Sequence, residues 1–247
     1  MVSQTCPFTF VELCDVDGFE VRSWREGSGE SAIRFDPAVH PSLPNVQKFK
    51  PPEVAVSHEK FLALWLDSYR LLKPKKHVLA EVEKLGVDSD CVGFHVRMTD
   101  KVCNDRTPAL TVVPEQVQKL ESTALSVLQK QLKKLNLGSV FLAADNEESK
   151  QQWQKRLSDL GYRVISHSAK FDSSLLRQTS GEDFAVDLFS LARCKTIVGT
   201  TYSGVVRSAA WISGHRDFTF AAQQMLSVRI WTHLMVRWFG LKRALGL

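Results

Sequence analysis

Apolar residues fall along this chain in two alternating rhythms. Short unbroken apolar runs come between longer stretches in which apolar positions recur every third or fourth residue. Leu62, Trp65, Leu66, Tyr69 and Leu72 keep helical spacing, and Pro74 is placed to stop that helix. Val78, Val82 and Leu85 predict a second helix, with Gly86 to end it. Residues 91–96 predict a strand. An amphipathic helix starts at Pro114, with Val117, Leu120, Ala124, Leu128 and Leu135 on one face. "SVFLAAD" (139–145) predicts a second strand, followed by a helix carrying Trp153, Leu157 and Leu160. "YRVISHS" is a third strand, and a helix follows over about 182–193. "TIVGTTYSG" is a fourth strand running into a helix over 203–213. "DFTFAA" is a candidate fifth strand and 224–242 a last amphipathic helix.

The N-terminal residues break from this rhythm. "FTFVEL" and "FEVRSW" read as short strands flanking "CDVDG", where Asp17-Gly18 suits a tight hairpin turn. "DPAVHPSLPNVQKFKPP" is Pro-rich and extended, the best linker candidate. The chain therefore divides into a short strand-and-loop region, 1–54, a reduced or truncated N-terminal domain, and an α/β domain, 55–247.

Alternating apolar strands and amphipathic helices predict an α/β fold with a doubly wound, mostly parallel, Rossmann-like sheet. Such sheets bind ligands in the crevice beyond the carboxyl ends of their strands. The predicted strand ends are "HVR", "AAD", "SHS" and "TTYS", and each releases polar groups on the same side of the sheet.

Composition narrows the picture a little. A chain of 247 residues suits one large α/β domain, or one domain with a small appendage. A net charge of +5 suits a small anionic ligand. The basic residues are dispersed, which argues against a nucleic-acid partner. Five cysteines, Cys6, Cys14, Cys91, Cys103 and Cys194, include no CxxC pair, and Cys91 and Cys194 read as buried thiols. The start, "MVSQTCPFTF", has no basic stretch followed by a long apolar one. No apolar run approaches the roughly 20 residues that span a bilayer. Walker A and GxGxxG sequences are absent.

Several residues at the strand ends have two readings each. Arg97 offers either a fork of donors for phosphate or a surface ion pair with Asp100, and Lys101 adds a point charge. His95 alternates with Phe94 and Val96, and is either a satisfied core histidine or a ligand contact. Asp187 shares a helix face with Phe184, Leu188 and Leu191. A carboxylate on a buried face is costly unless something donates to it. Backbone amides could do so. So could guanine, whose ring N–H and exocyclic amine present two adjacent donors. Ser203 is a helix N-cap, a phosphate contact, or both, and Arg207 follows one turn later on the same face. Asp145, with Glu148 three positions on, reads as a helix cap.

These segments together resemble a known family. "GFHVRMTDKV" (93–102) is similar to the "HVRRTDKV" segment of the alpha-1,6-fucosyltransferases that act on the N-glycan core. Chitin-oligosaccharide and protein O-fucosyltransferases share a looser form. "VDLFSLARCKTIVGTTYSGVVR" (186–207) resembles the family's Asp-to-Ser-to-Arg segment, and "FLAADN" its "LATDD". "LDSYRLLKPKKHVLAEVEKLG" resembles the helical lead-in, so the likeness covers about residues 55–215.

The resemblance implies the donor-binding domain of a GT-B-type enzyme. It would transfer fucose from GDP-fucose to a glycan or glycoprotein acceptor, with inversion and without a metal or other cofactor. It implies that His95 and Asp187 hold guanine, that Arg97 binds the pyrophosphate, and that Ser203 contacts phosphate. It also implies that Lys101 and Asp105 serve acceptor activation. Asp100, Asp145 and Arg207 lie in the same motifs and complete the donor-binding set. Met98 replaces the second arginine of the family pair and Asn146 the second acid.

Three rival expectations stand beside this one. The chain could bind a GDP-sugar without transferring it, as a fragment lacking the acceptor domain. It could use Asp15-Val16-Asp17, a formal DxD, to hold a metal. The C-terminal "MLSVRIWTHLMVRWFGLKRALGL" could pack on the sheet, self-associate, or lie on a membrane surface. Eukaryotic members of the family are Golgi proteins, so a fragment of one implies the Golgi and a complete chain the cytoplasm.

Overall fold

The computed structural model describes residues 14–16, 67, 69–98, 114–171, 179–214 and 217–225. Strand β1 is Cys14–Val16 and pairs antiparallel with β2, Leu72–Pro74, placing Asp15 opposite Lys73. Helix α1 (Lys76–Lys84) leads into β3 (Cys91–Val96). Then follow α2 (Val117–Leu135), β4 (Ser139–Ala144), α3 (Glu147–Asp159) and β5 (Arg163–Ile165). The described chain continues with α4 (Gly181–Leu191), β6 (Thr196–Gly199), α5 (Gly204–Ile212) and β7 (Phe218–Phe220).

The main sheet has the order β5-β4-β3-β6-β7, and every pairing in it is parallel. From β3 the chain winds outward through β4 to β5. Helix α4 then carries it back to β6, on the other side of β3, and it winds outward again to β7. The two directions part between β3 and β6, which is where a doubly wound sheet opens its crevice.

The pleat sorts side chains to two covered faces. Val92, Phe94 and Val96 of β3 join Val140, Leu142 and Ala144 of β4 beneath α2 and α3, against Leu120, Ala124, Leu128, Trp153 and Leu157. On the other face Cys91, Phe141, Ala143 and Ile197 meet Leu188 and Leu191 of α4 and Val206 and Ala209 of α5. Burial on both faces is why β3 and β4 read as continuous apolar runs rather than alternating ones. A third layer is built when Val78 and Val82 of α1 pack on Ala185, Val186 and Phe189 of α4.

Some expected elements differ. Leu72 lies in β2 rather than in a helix, because its backbone pairs with β1. Of that predicted helix only residues 67, 69 and 70 are described, and they are helical. Cys14–Val16, the start of "CDVDG", form a strand. Leu132, not Leu135, completes the buried row of α2. Leu160 caps α3 and is 46% exposed, since the chain turns away at Gly161 (φ 82°). Strands β5, β6 and β7 are shorter than predicted, and the residues after each form loops or, at Ala221–Gln224, a 3-10 turn. The Asp17-Gly18 turn, the proline-rich linker and the C-terminal helix beyond 225 lie outside the described residues.

Gly93 sets the height of α4 above the sheet. A Cβ there would come within 2.9 Å of Leu191 Cδ2 and 3.3 Å of Cys194 Sγ, both buried atoms with nowhere to move. Gly93→Ala is expected to destabilise the fold by about 1–3 kcal/mol, read from the midpoint of denaturant unfolding. An unchanged midpoint would mean that α4 can lift.

Candidate functional site

The loops after β3, β4 and β6 are stitched together at the switch point. The Thr200 amide donates to the His95 carbonyl at 3.0 Å, and the Arg97 amide donates to Thr200 Oγ1 at 3.0 Å. The Thr201 hydroxyl donates to the Arg97 carbonyl at 3.2 Å. From the other neighbour, the Asp145 carboxylate accepts from the Met98 amide at 3.2 Å through both oxygens. Arg97, half-buried, is thus fixed at its backbone from β6 and flanked from β4.

Asp145 does not cap α3. Asn146 does, accepting the Ser149 amide at 2.8 Å, and its own Nδ2 donates to Asp145 Oδ1 at 3.1 Å. The cap sits one residue later than expected because the Asp145 carboxylate turns back toward the β3 loop. Asn146 therefore has a structural reason of its own to stand where the resembled family has an acid. Met98, in place of an arginine, packs against the core under α2 and α3.

Helix α4 runs antiparallel to the strands, so its first turns project past the sheet into the crevice. Ser180 caps it, accepting the Asp183 amide at 3.0 Å. Phe184 and Asp187 were expected on one apolar face with Leu188 and Leu191. Leu188 and Leu191 do meet the sheet. Phe184, 40% exposed, has no strand beneath it, and with Asp187 it lines a small cavity instead. This cavity, about 50 Å³, is also lined by His95, Arg97, Ala144, Asp145, Thr179 and Val205. His95 is 6% exposed and lies on the α4 side of the sheet, as its place between Phe94 and Val96 requires.

Asp187 is the electrostatic centre of the cavity. It is 5% exposed, and its Oδ1 has no hydrogen-bond partner among the described residues. Burial pushes its carboxyl up to about 7, against the pull of the Lys150 ammonium, with Asp183 adding a smaller push upward. The α4 backbone cannot satisfy that oxygen, because its amides are engaged in the helix. Of the two readings open at the sequence level, internal satisfaction by neighbouring amides is therefore not met at Oδ1.

Ser203 caps α5, accepting the Val205 amide at 3.2 Å, and is buried. The positive end of the α5 dipole thus opens beside β6, toward the crevice. Arg207 follows one turn later and does not line the cavity. His95, Arg97, Asp145 and Asp187 are brought together in one place. Asp100, Lys101 and Asp105 lie outside the described residues, as does Asp17 of the DxD. Sequence reasoning missed Thr200 and Thr201. Their signal was a polar pair closing an apolar strand.

No family model matches the chain, and no curated protein matches it. Solved structures do align with it. POFUT1 in its apo form gives a TM-score of 0.43 at 14% identity, over 63% of this chain and 49% of that one. POFUT1 in complex with GDP-fucose gives 0.41 at 14% identity, over 63% and 48%. NodZ alpha-1,6-fucosyltransferase soaked with GDP-fucose gives 0.39 at 21% identity, over 64% and 47%. The chain spans about half the length of each of these structures.

Proposed function

We propose that this chain carries the donor-binding domain of a fucosyltransferase that takes GDP-fucose and passes the sugar to a glycan acceptor, with inversion and without a metal. The observation that carries the reading is Asp187, a buried carboxylate whose Oδ1 meets no donor among the described residues, in a crevice cavity shared with His95 and Arg97. Guanine supplies the adjacent pair of donors that such a carboxylate lacks, and His95 lines the same cavity. Arg97 takes the pyrophosphate with its guanidinium fork. Ser203 and the N-terminus of α5 add backbone amides and a positive dipole end for the phosphates.

The chemistry follows from where charge develops. As the sugar–phosphate bond breaks, GDP gains negative charge, which preorganised cations and amides stabilise more than the ground state. The stitching by Thr200 and Thr201 keeps Arg97 in place without reorganisation. Lys101 and Asp105 act on the acceptor hydroxyl, which needs a general base to attack from the opposite face. Asp100, Asp145 and Arg207 shape the donor side.

Calorimetric titration with GDP, using GMP, ADP and UDP as controls, tests the donor site. Binding selective for GDP is expected, weakened about ten-fold or more by Arg97→Ala, since a charge-assisted contact is worth roughly 1.5–3 kcal/mol. Equal binding of ADP, or none of GDP by the folded chain, would overturn the reading. Turnover of GDP-fucose with a glycan acceptor in the presence of EDTA then separates metal-free transfer from binding alone.

A further inference from the structure

A second cavity, about 520 Å³, lies along β5, the edge strand of the sheet, and shares no lining residue with the crevice cavity. Its volume falls within the roughly 300–1,000 Å³ of small-molecule sites. One wall is a single face of α3, where Glu147, Lys150, Gln151 and Gln154 recur at helical spacing. The other wall is β5 and the loop after it, with Arg163 at one end and His167 and Phe171 at the other. Lys150 meets the His167 end, so Gln154, one turn further along α3, lies toward the Arg163 end.

Lys150 is 6% exposed, although Glu147, Gln151 and Gln154 beside it are exposed. Its ammonium donates to the His167 carbonyl and lies 5.5 Å from the centre of the Phe171 ring. An ammonium carries three N–H donors, and that carbonyl takes one. Among the described residues no second hydrogen-bond acceptor meets it, and no carboxylate comes within ion-pair distance. Glu147, the carboxylate on the same wall, accepts instead from Gln151 Nε2 at 3.0 Å. A buried ammonium without a counter-charge is costly, and an anion entering the cavity removes that cost. His167 is fixed from behind. Its Nε2 meets Asp183 Oδ1 at 2.8 Å, and the Ser180 hydroxyl holds the other Asp183 oxygen at 2.6 Å. With Nε2 donating there, the neutral ring keeps Nδ1 as an acceptor.

We propose that the cleft between α3 and β5 binds a saccharide carrying one acidic group. The Lys150 ammonium takes the acid, His167 Nδ1 accepts from a sugar hydroxyl, and the Gln151 and Gln154 side chains meet further hydroxyls. A bare inorganic anion would use the Lys150 end alone and leave the rest of the cavity to water. The acid is a carboxylate or a phosphate ester, since both present oxygens to an ammonium. The proposal is independent of the nucleotide reading, because none of these residues lines the crevice cavity.

Titration of the full chain with glucuronate, glucose 6-phosphate, glucose and inorganic phosphate, followed by calorimetry and by the Lys150 side-chain resonance, tests this. At least one of the two acidic sugars is expected to bind and to shift that resonance, and the tighter of the two identifies the acid. Glucose and inorganic phosphate should each bind about ten-fold more weakly or worse. Lys150→Met should lower the affinity for the acidic sugar by about ten-fold or more, to the level of glucose. Gln154→Ala, at an exposed position, should weaken the acidic sugar several-fold and leave inorganic phosphate unchanged. Should Lys150→Met fail to fold, Gln154→Ala and the resonance in the wild type still decide. No binding of either acidic sugar by the folded wild type, or the same affinity in Lys150→Met, overturns the proposal. Inorganic phosphate binding as tightly as the acidic sugars overturns the saccharide as its ligand.

Discussion

Asp187→Asn is expected to make the protein more stable at pH 8 and, on the proposed reading of the site, to remove selective binding of GDP. Both halves come from one oxygen. The carboxyl titrates at about 7 in the fold, against an ordinary value of 3.8. A raised carboxyl binds its proton more tightly in the folded state. Its contribution to stability is therefore fully present below about pH 4 and is lost as pH rises through about 7. Above that pH the charged form burdens the fold by roughly 4 kcal/mol, at about 1.4 kcal/mol for each pH unit between the two values. Asparagine has nothing to lose over that range. The stability gap between variant and wild type should open from about pH 4 and level off above about pH 7, as seen in denaturant unfolding at pH 5 and pH 8. The same pH dependence in both proteins would remove Asp187 as its source. Binding moves the other way. Asparagine offers a donor where the base offers donors too, so a charged acceptor is lost and a repulsive pair gained. GDP affinity should drop by about ten-fold to a hundred-fold. A stabilised variant that still binds GDP would place guanine elsewhere.

Trp153→Ala has the largest effect expected on stability alone, a loss of about 3–5 kcal/mol. The indole is buried and meets Phe94 edge to face, with ring centres 4.8 Å apart. Its far side carries the Arg156 guanidinium, 5.0 Å from the ring. Truncation opens a cavity beneath α3 that leucines already in contact cannot fill without leaving their rotamers. Trp153→Phe keeps most of the ring contact and should recover most of the loss. Phe94 and His95 are adjacent but point to opposite faces of the sheet, so the damage stays on the α2 and α3 side. GDP affinity of the folded fraction at low temperature should be unchanged. A parallel loss of affinity would mean that the sheet transmits the defect through its thickness.

The parts of the fold governed by burial on regular elements were legible. Strand β3 was readable residue for residue because both its faces are covered, leaving an unbroken apolar run. Val78 and Val82, or Leu120, Ala124 and Leu128, announced their helices because each faces a continuous layer. Reading failed where an element outruns the layer beneath it. Phe184 has the spacing of a core residue, but the sheet ends before reaching it. Leu160 fails for the same reason at the other end of a helix. Four of the candidate residues were legible as neighbours: His95, Arg97, Asp145 and Asp187 line one cavity. Their supporting contacts were not. Asp145 passed its cap to Asn146 because a carboxylate was wanted by the Met98 amide, 47 positions away. Thr200 and Lys150 take their meaning from partners in other elements, and no local pattern marks such residues.

Helix α4 is covered by the sheet on one side and by α1 on the other, so that Ala185 through Leu191 are all buried. An internal helix of this kind has no separate way to fray or tilt. Its amides should exchange with solvent only when the whole domain opens, and at the slowest rates in the chain. The carboxylate it carries is then held in one orientation by the fold itself, so that on the proposed reading little ordering would remain to be done on binding. A nucleotide held there would slow exchange across the entire sheet by a common factor, instead of drawing a local footprint around the crevice.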